Sequence, residues 1–251
     1  MTVTEAPASP RLRWMTATAR MVIDETPRVR SLVLDVPDWP SHKAGQHVDV
    51  RLTADDGYQA QRSYSLASAP GTDLMLTVER LDDGEVSSYL AGDLRAGDRF
   101  ELRGPIGGYF VWTPALDGPL FLVAGGSGVV PLMAMLRARA AAAVKVPTVL
   151  LYSSRSAADI IYRAELERLA AEDGTLKIVH TLTRERPNGW SGYTRRVDRA
   201  MLDDVGFSPA LRPRIFVCGP TPMVEAAAST LRSLGHAANL IKTERFGPSG
   251  R

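Results

Sequence analysis

The stretch Leu120–Pro131, LFLVAGGSGVVP, decides how this chain reads. Its apolar run, Leu120–Ala124, predicts a strand buried on both faces. Gly125-Gly126-Ser127-Gly128 follow, and then an Ala- and Leu-rich helical run, Val130–Ala143. Pro131 fits the first helical turn, where its missing N–H costs nothing. A glycine loop between a buried strand and a helix lets a pyrophosphate approach the backbone, and the helix N-terminus favours its charge. The full Gly-x-Gly-x-x-Gly fingerprint is not present, and a tight structural turn would use the same residues.

Downstream, strands and helices alternate. Strands are expected at Thr148–Tyr152, Leu176–Leu182, Arg214–Cys218 and Asn239–Thr243, and helices at Asp159–Glu172, Arg196–Asp203 and Thr221–Leu234. This order implies right-handed βαβ units and a five-stranded parallel α/β sheet. Upstream, short β-like runs are separated by turn signals: Met15–Ile23, Val29–Val36, His47–Leu52, Arg62–Ala67 and Leu74–Arg80. They imply an antiparallel β-barrel or sandwich, with one short helical piece near Ser87–Gly92. Thr113–Pro119 reads as a linker. The expected division is a β-barrel domain over 1–114, with residues 1–10 as a frayed tail, and an α/β domain over 115–251.

Composition narrows the function. The net charge of +2 over 251 residues gives no argument for nucleic acid or membrane. No run approaches the roughly 18 apolar residues of a membrane helix, and the first ten residues lack the apolar core of a signal peptide. A cytoplasmic location is expected. The single cysteine, Cys218, excludes a four-cysteine iron–sulfur cluster within the chain. His42, His47, His180 and His236 are scattered, so no metal site is expected.

Three further motifs carry chemistry. In Arg62-Ser63-Tyr64-Ser65, a strand puts Arg62 and Tyr64 on one face and Ser63 and Ser65 on the other. An arginine can fork onto a phosphate, a tyrosine can lie against an aromatic ring, and a serine can bond that ring's edge. An ordinary strand with an exposed arginine looks the same. Gly84-Glu85-Val86-Ser87 opens a short helix and suits phosphate oxygens, or is a serine cap for its own backbone. Cys218-Gly219-Pro220-Thr221-Pro222-Met223 ends a strand where ligands bind in open parallel sheets, though a buried cysteine is commonly inert packing.

Taken in order, these four motifs resemble the ferredoxin–NADP reductase superfamily, over about residues 12–247. Within it the chain is similar to compact bacterial flavoprotein reductases and to the reductase modules of multicomponent oxygenases. The resemblance implies an FAD-binding barrel followed by a dinucleotide-binding domain. It implies that Arg62 contacts a flavin phosphate, Tyr64 stacks on the isoalloxazine, and Ser65 lies near its reactive N5 edge. Ser63, Val78, Arg80, Gly84, Glu85, Val86 and Ser87 complete the expected FAD site. Gly126, Ser127 and Gly128 would hold the nicotinamide dinucleotide, with Cys218, Gly219, Pro220 and Met223 beside the nicotinamide. Glu244-Arg245-Phe246 matches the family's acidic-x-aromatic ending, whose ring covers the flavin, although residues 248–251 run past the usual stop. Ser65, Cys218, Glu244 and Phe246 are the expected catalytic set.

For the coenzyme, NADPH is expected over NADH. The strand Thr148–Tyr152 ends in Ser153-Ser154-Arg155, without the acid that often binds ribose hydroxyls in NAD sites. Arg155, Arg184 and Arg196 match in position arginines that bind the 2′-phosphate in bacterial NADP-dependent relatives, with Thr183 beside them in the expected coenzyme site, and solvated surface arginines are the plain alternative. The activity implied is hydride transfer from NADPH to FAD and onward transfer to a separate protein: a ferredoxin, an oxygenase, a molybdoenzyme or a haem protein. No fused plant-type ferredoxin or globin segment is read in the sequence. A diaphorase acting on free flavin or quinone, and a non-catalytic flavin redox sensor, are the competing readings.

Overall fold

The computed structural model describes residues 12–142 and 145–246. The expected tail at 1–10, the last residue of the expected helix Val130–Ala143 and the segment after Phe246 lie outside the described residues.

The first half forms β1 (Met15–Thr26), β2 (Val29–Asp35), β3 (His47–Thr53), β4 (Gln59–Ser65), β5 (Leu74–Glu79) and β6 (Arg99–Ile106). They pair antiparallel in the order β4-β3-β6-β1-β2-β5. A bridge between Leu66 and Leu76 joins the two outer ends and closes the sheet towards a barrel. Alternate residues fill the interior: Leu32 and Leu34, Val48 and Val50, Leu74, Leu76 and Val78, Phe100 and Leu102. Each such side chain contributes about 1.5–3 kcal/mol on burial. The short helix α1 (Glu85–Ser88), continued by a π-helical turn over Tyr89–Asp93, adds Val86 and Leu90 to that interior.

Strand β6 is the element that the sequence reading omits. It ends in Gly104-Pro105, and its charged residues mask the alternation. Yet it lies between β3 and β1, because Phe100 and Leu102 point inward. The intervening Glu101 and Arg103 pair across to Arg51 (2.9 Å) and Asp49 (3.0 Å) of β3.

The second half runs β7 (Leu120–Gly125), α2 (Val129–Ala140), β8 (Thr148–Ser154), α3 (Arg163–Glu172), β9 (Leu176–Leu182), α4 (Arg199–Val205), β10 (Arg214–Pro220), α5 (Thr221–Ser233) and β11 (Ile241–Phe246). The five strands are parallel, ordered β11-β10-β7-β8-β9. In β7, Phe121 and Val123 pack with α4 and α5, and Leu120, Leu122 and Ala124 pack with α2 and α3. That second cluster also holds Val29, Ala44, Ala67, Phe110 and Trp112 of the first half, so the α2–α3 layer is sandwiched between sheet and barrel.

Several element starts differ from expectation, β4 beginning at Gln59 rather than Arg62, α2 at Val129 rather than Val130 and α1 at Glu85 rather than Ser87, and three more bear on the sheet edge. Helix α3 begins at Arg163, not Asp159, because Tyr162 is left-handed (φ 60°) and interrupts the chain after a 3-10 turn at Ala157–Asp159. Helix α4 begins at Arg199, after the Asp198 side chain accepts from the Met201 N–H (2.8 Å). Arg196 is therefore in a loop. Strand β11 runs Ile241–Phe246 rather than Asn239–Thr243, which carries Glu244 and Phe246 into the sheet.

Candidate functional site: a barrel strand and a sheet edge

Parallel pairing aligns the carboxyl ends of all five strands. The registers Gly125 with Ser153, Ser154 with Leu182, Cys218 with Ala124 and Pro220 with Phe246 put the glycine loop, the arginine-bearing strand ends and the cysteine turn on one edge. The glycine loop and the cysteine turn touch backbone to backbone. A Cβ on Gly128 would lie 2.2 Å from the Cys218 carbonyl oxygen, and one on Gly125 would lie 2.5 Å from the Met223 sulfur. A Cβ on Gly126 (φ +55°) would meet nothing within 4 Å. Gly128 is thus required by the fold, whereas Gly126 faces open space of the kind a ligand needs.

Cys218 is fully buried. Burial, and then the neighbouring Glu244 carboxylate, push its thiol well above the ordinary range, so it stays a neutral thiol. Glu244 is its partner in register on β11. One Glu244 carboxylate oxygen, Oε2, is enclosed and has no hydrogen-bond partner among the described residues. Burial raises the Glu244 pKa to about 7 from 4.5. The folded state therefore holds a proton on Glu244 that the unfolded chain releases. Its contribution to stability is complete below pH about 4.5 and is lost as pH rises through about 7. Thermal unfolding of the wild type and of Glu244→Gln across that range should show the wild type losing stability relative to the variant. Parallel curves would mean that Glu244 titrates alike in both states.

At the barrel, Arg62 is exposed and its nearest acid, Glu85, stands at 4.0 Å. Tyr64 is half-buried against the barrel core, and burial raises its hydroxyl pKa. The Ser65 hydroxyl is buried with no partner among the described residues. Ser63 behaves differently: its hydroxyl donates to Asp49 (2.6 Å), so towards a ligand that hydroxyl can only accept. Val78 is buried in the barrel core, so it too offers only backbone. Arg80 is exposed at the end of β5. Gly84 precedes α1, where a Cβ would lie 2.2 Å from the Ser87 hydroxyl oxygen. That Ser87 oxygen accepts from the Leu81 N–H (3.2 Å) and so braces the loop. Tyr58, which the sequence analysis did not single out, donates to Glu85 (3.1 Å). Nothing in its local sequence marks it.

At the sheet edge, the Arg184 N–H donates to the Arg155 carbonyl (2.9 Å) and the Thr183 N–H to Ser154 (3.0 Å). Arg155, Arg184 and Arg196 are exposed and make no ion pair among the described residues, whereas Arg195 is committed to Asp198 (2.5 Å). Glu185 does not pair with Arg184. Its carboxylate instead accepts the Ala157 N–H. Phe246 packs partly buried against the shared core. Among the described residues, no cluster of His, Cys, Asp or Glu could hold a metal ion, and no helix is long and apolar enough to cross a membrane.

A barrel with an unpartnered buried serine is thus set against a parallel sheet whose glycine loop leaves open space beside Gly126, the arrangement expected of a protein that binds one ligand on each half. Residues 22–111 match the oxidoreductase FAD-binding domain and residues 122–229 the oxidoreductase NAD-binding domain. The chain belongs to the oxidoreductases built from these two domains in this order, and its fold is that of the ferredoxin–NADP reductases.

The glycine betaine monooxygenase reductase subunit of Chromohalobacter salexigens is 35% identical over 232 residues, covering 90% of this chain and 62% of that protein. NADH-cytochrome b5 reductase 1 of Lodderomyces elongisporus is 33% identical over 195 residues, 76% of this chain and 64% of that one. The chain spans less than two thirds of the length of either. A cytochrome P450 reductase from Amycolatopsis superposes with a TM-score of 0.84 at 29% identity, over 99% of this chain and 74% of that one. A ferredoxin NADP+ reductase from Neisseria gonorrhoeae, solved with FAD and NADP, shares the fold at 21% identity and a TM-score of 0.78, over 94% and 99% of the two chains.

Proposed function

We propose that residues 1–114 bind FAD, that residues 115–251 bind NADPH, and that the chain moves a hydride from NADPH to FAD and electrons onward to a separate, oxygenase-type protein. The observation that carries this reading is the buried, unpartnered Ser65 hydroxyl at the end of the Arg-x-Tyr-Ser strand. An orphaned buried hydroxyl costs about 1–3 kcal/mol, a cost that a ligand atom at that point would remove. A cytoplasmic location is part of the same proposal.

FAD, when bound, supplies the step from two-electron to one-electron chemistry. The residues do the rest. Arg62 holds phosphate charge, and the Gly84–Ser87 turn offers backbone N–H groups to the pyrophosphate. Tyr64 gives a flat face and Ser65 a donor at the ring edge. Gly126 leaves room for the dinucleotide backbone, while neutral Cys218 and Met223 wall the nicotinamide pocket without adding charge. Glu244, poised near neutral pH, can hold or release a proton beside it. Phe246 shields the site from water. Holding both rings at roughly 3–3.5 Å is the main contribution a protein makes to such a step. The unpaired arginines at 155, 184 and 196 support NADPH.

The purified protein should be yellow and release one FAD per chain on acid treatment, read by chromatography, and should oxidise NADPH continuously with ferricyanide. FMN alone would overturn the role of Gly84–Ser87. A single bleaching without turnover would indicate a redox sensor.

A further inference from the structure

We propose that Arg137 and Tyr162 are positioning residues: a polar clamp that holds the dinucleotide-binding half in angular register with the flavin-binding half. The inference rests on the hydride-transfer reading above. Helix α2 starts immediately after the loop Gly125–Gly128 and ends at Ala140. Near its far end, the Arg137 guanidinium forks onto Glu165 of α3 (2.9 and 2.6 Å). Its remaining Nη1 donates across to the Ala67 carbonyl of the barrel half (2.8 Å). Ala67 is two residues beyond Ser65. One rigid helix thus joins the glycine loop of one half to the Arg-x-Tyr-Ser strand of the other.

Tyr162 supplies a second tie beside the first. Its ring centroid lies 4.9 Å from the Arg137 guanidinium. It is 3% exposed, and its left-handed backbone (φ 60°) is uncommon for an aromatic residue. That conformation ends the turn before α3 and delivers the phenol to the barrel. There its hydroxyl donates to Thr77 of β5. Thr77 and Ser31 of β2 share a hydrogen bond (2.8 Å), and Ser31 donates to Glu25 of β1 (2.6 Å). The relay crosses three barrel strands. Apolar packing resists separation but tolerates small slides, whereas a buried hydrogen-bonded chain is directional. A displacement near 1 Å can slow hydride-type chemistry about 100-fold. Ordinary interdomain packing would need neither the strained backbone nor the relay.

The test is stopped-flow reduction of the FAD-loaded full chain in Tyr162→Phe, Thr77→Val and Thr77→Ser, with thermal unfolding alongside. The long-wavelength absorbance that arises when nicotinamide stacks on flavin is followed in the same mixing. Tyr162→Phe and Thr77→Val should keep FAD and half-saturate at the wild-type coenzyme concentration. Flavin reduction should slow about tenfold and the stacking band should weaken. Thr77→Ser, which restores a hydroxyl, should recover both. The double variant Tyr162→Phe/Thr77→Val should be no slower than Thr77→Val alone, which already removes the Tyr162 bond together with the one to Ser31. Variants that lower the unfolding temperature but leave rate and band unchanged would overturn the clamp alone. A wild type that neither NADPH nor NADH reduces would instead overturn the hydride-transfer reading, and the clamp with it.

Discussion

Gly128→Ala should abolish most reduction of the flavin by nicotinamide while leaving FAD in place. Gly128 has an ordinary right-handed backbone (φ −60°, ψ −13°), so alanine costs nothing in conformation. The obstacle is steric, and all of it is main chain. The new methyl would lie 2.2 Å from the Cys218 oxygen, 2.5 Å from its carbonyl carbon and 2.7 Å from the Gly219 Cα. No rotamer change relieves such contacts. The glycine loop must move off the end of β10, which would widen the proposed nicotinamide site. A shift of about 1 Å between reacting atoms is enough for roughly a 100-fold loss. The proposed flavin site lies on β4, β5 and α1 of the other half, so FAD content should match the wild type. Gly126→Ala is the informative companion. Its methyl meets nothing, but its φ of +55° strains any residue with a Cβ, at roughly 1–2 kcal/mol. It should therefore be milder unless the dinucleotide occupies that space. Stopped-flow reduction with measured FAD content checks both. A wild-type rate in Gly128→Ala would mean that loop and turn separate without consequence for the chemistry.

The double variant Arg155→Ala/Arg184→Ala should lower kcat/KM for NADPH about 100-fold and spare NADH. The two strand ends are tied by the Arg184 N–H to the Arg155 carbonyl. Both side chains stand exposed, without an acidic partner among the described residues. Two guanidinium groups with unused donors suit a phosphate dianion. A hydrogen bond to a charged group contributes about 1.5–3 kcal/mol, or roughly tenfold or more for each arginine. Equal losses with both coenzymes would move these arginines to the shared pyrophosphate. A wild-type preference for NADH, the coenzyme in the name of one relative, would remove the 2′-phosphate assignment entirely. Glu185 follows Arg184 and accepts the Ala157 N–H, so the charge balance of this edge depends on where that carboxylate rests.

Much of this molecule is written in short local patterns. The apolar run Leu120–Ala124 with its glycine loop could only be a strand turning into a helix. The alternation of five strands with helices specified a parallel sheet, because crossover connections leave few other topologies. Arg62-Ser63-Tyr64-Ser65 and Cys218-Gly219-Pro220 each have an ordinary structural use, and they stand out only by occurring in order with the two glycine-containing loops. In the barrel, two-residue periodicity located five of six strands. β6 escaped because its outward charges, Glu101 and Arg103, find partners only on β3, a strand that is distant in the sequence.

What the tertiary structure alone decided is relational. Ser63 and Ser65 are equivalent in the sequence, but the fold gives Ser63 a partner in Asp49 and leaves Ser65 with none among the described residues. Glu244 becomes a near-neutral acid only because β11 extends far enough to bury it beside Cys218. Arg137 and Tyr162 look like ordinary helix residues until the two halves meet, when one reaches Ala67 and the other Thr77. Local sequence encodes backbone conformation and side-chain type. Desolvation, unpaired donors and cross-domain hydrogen bonds depend on which distant segments arrive at the same place, and only the packed chain determines that.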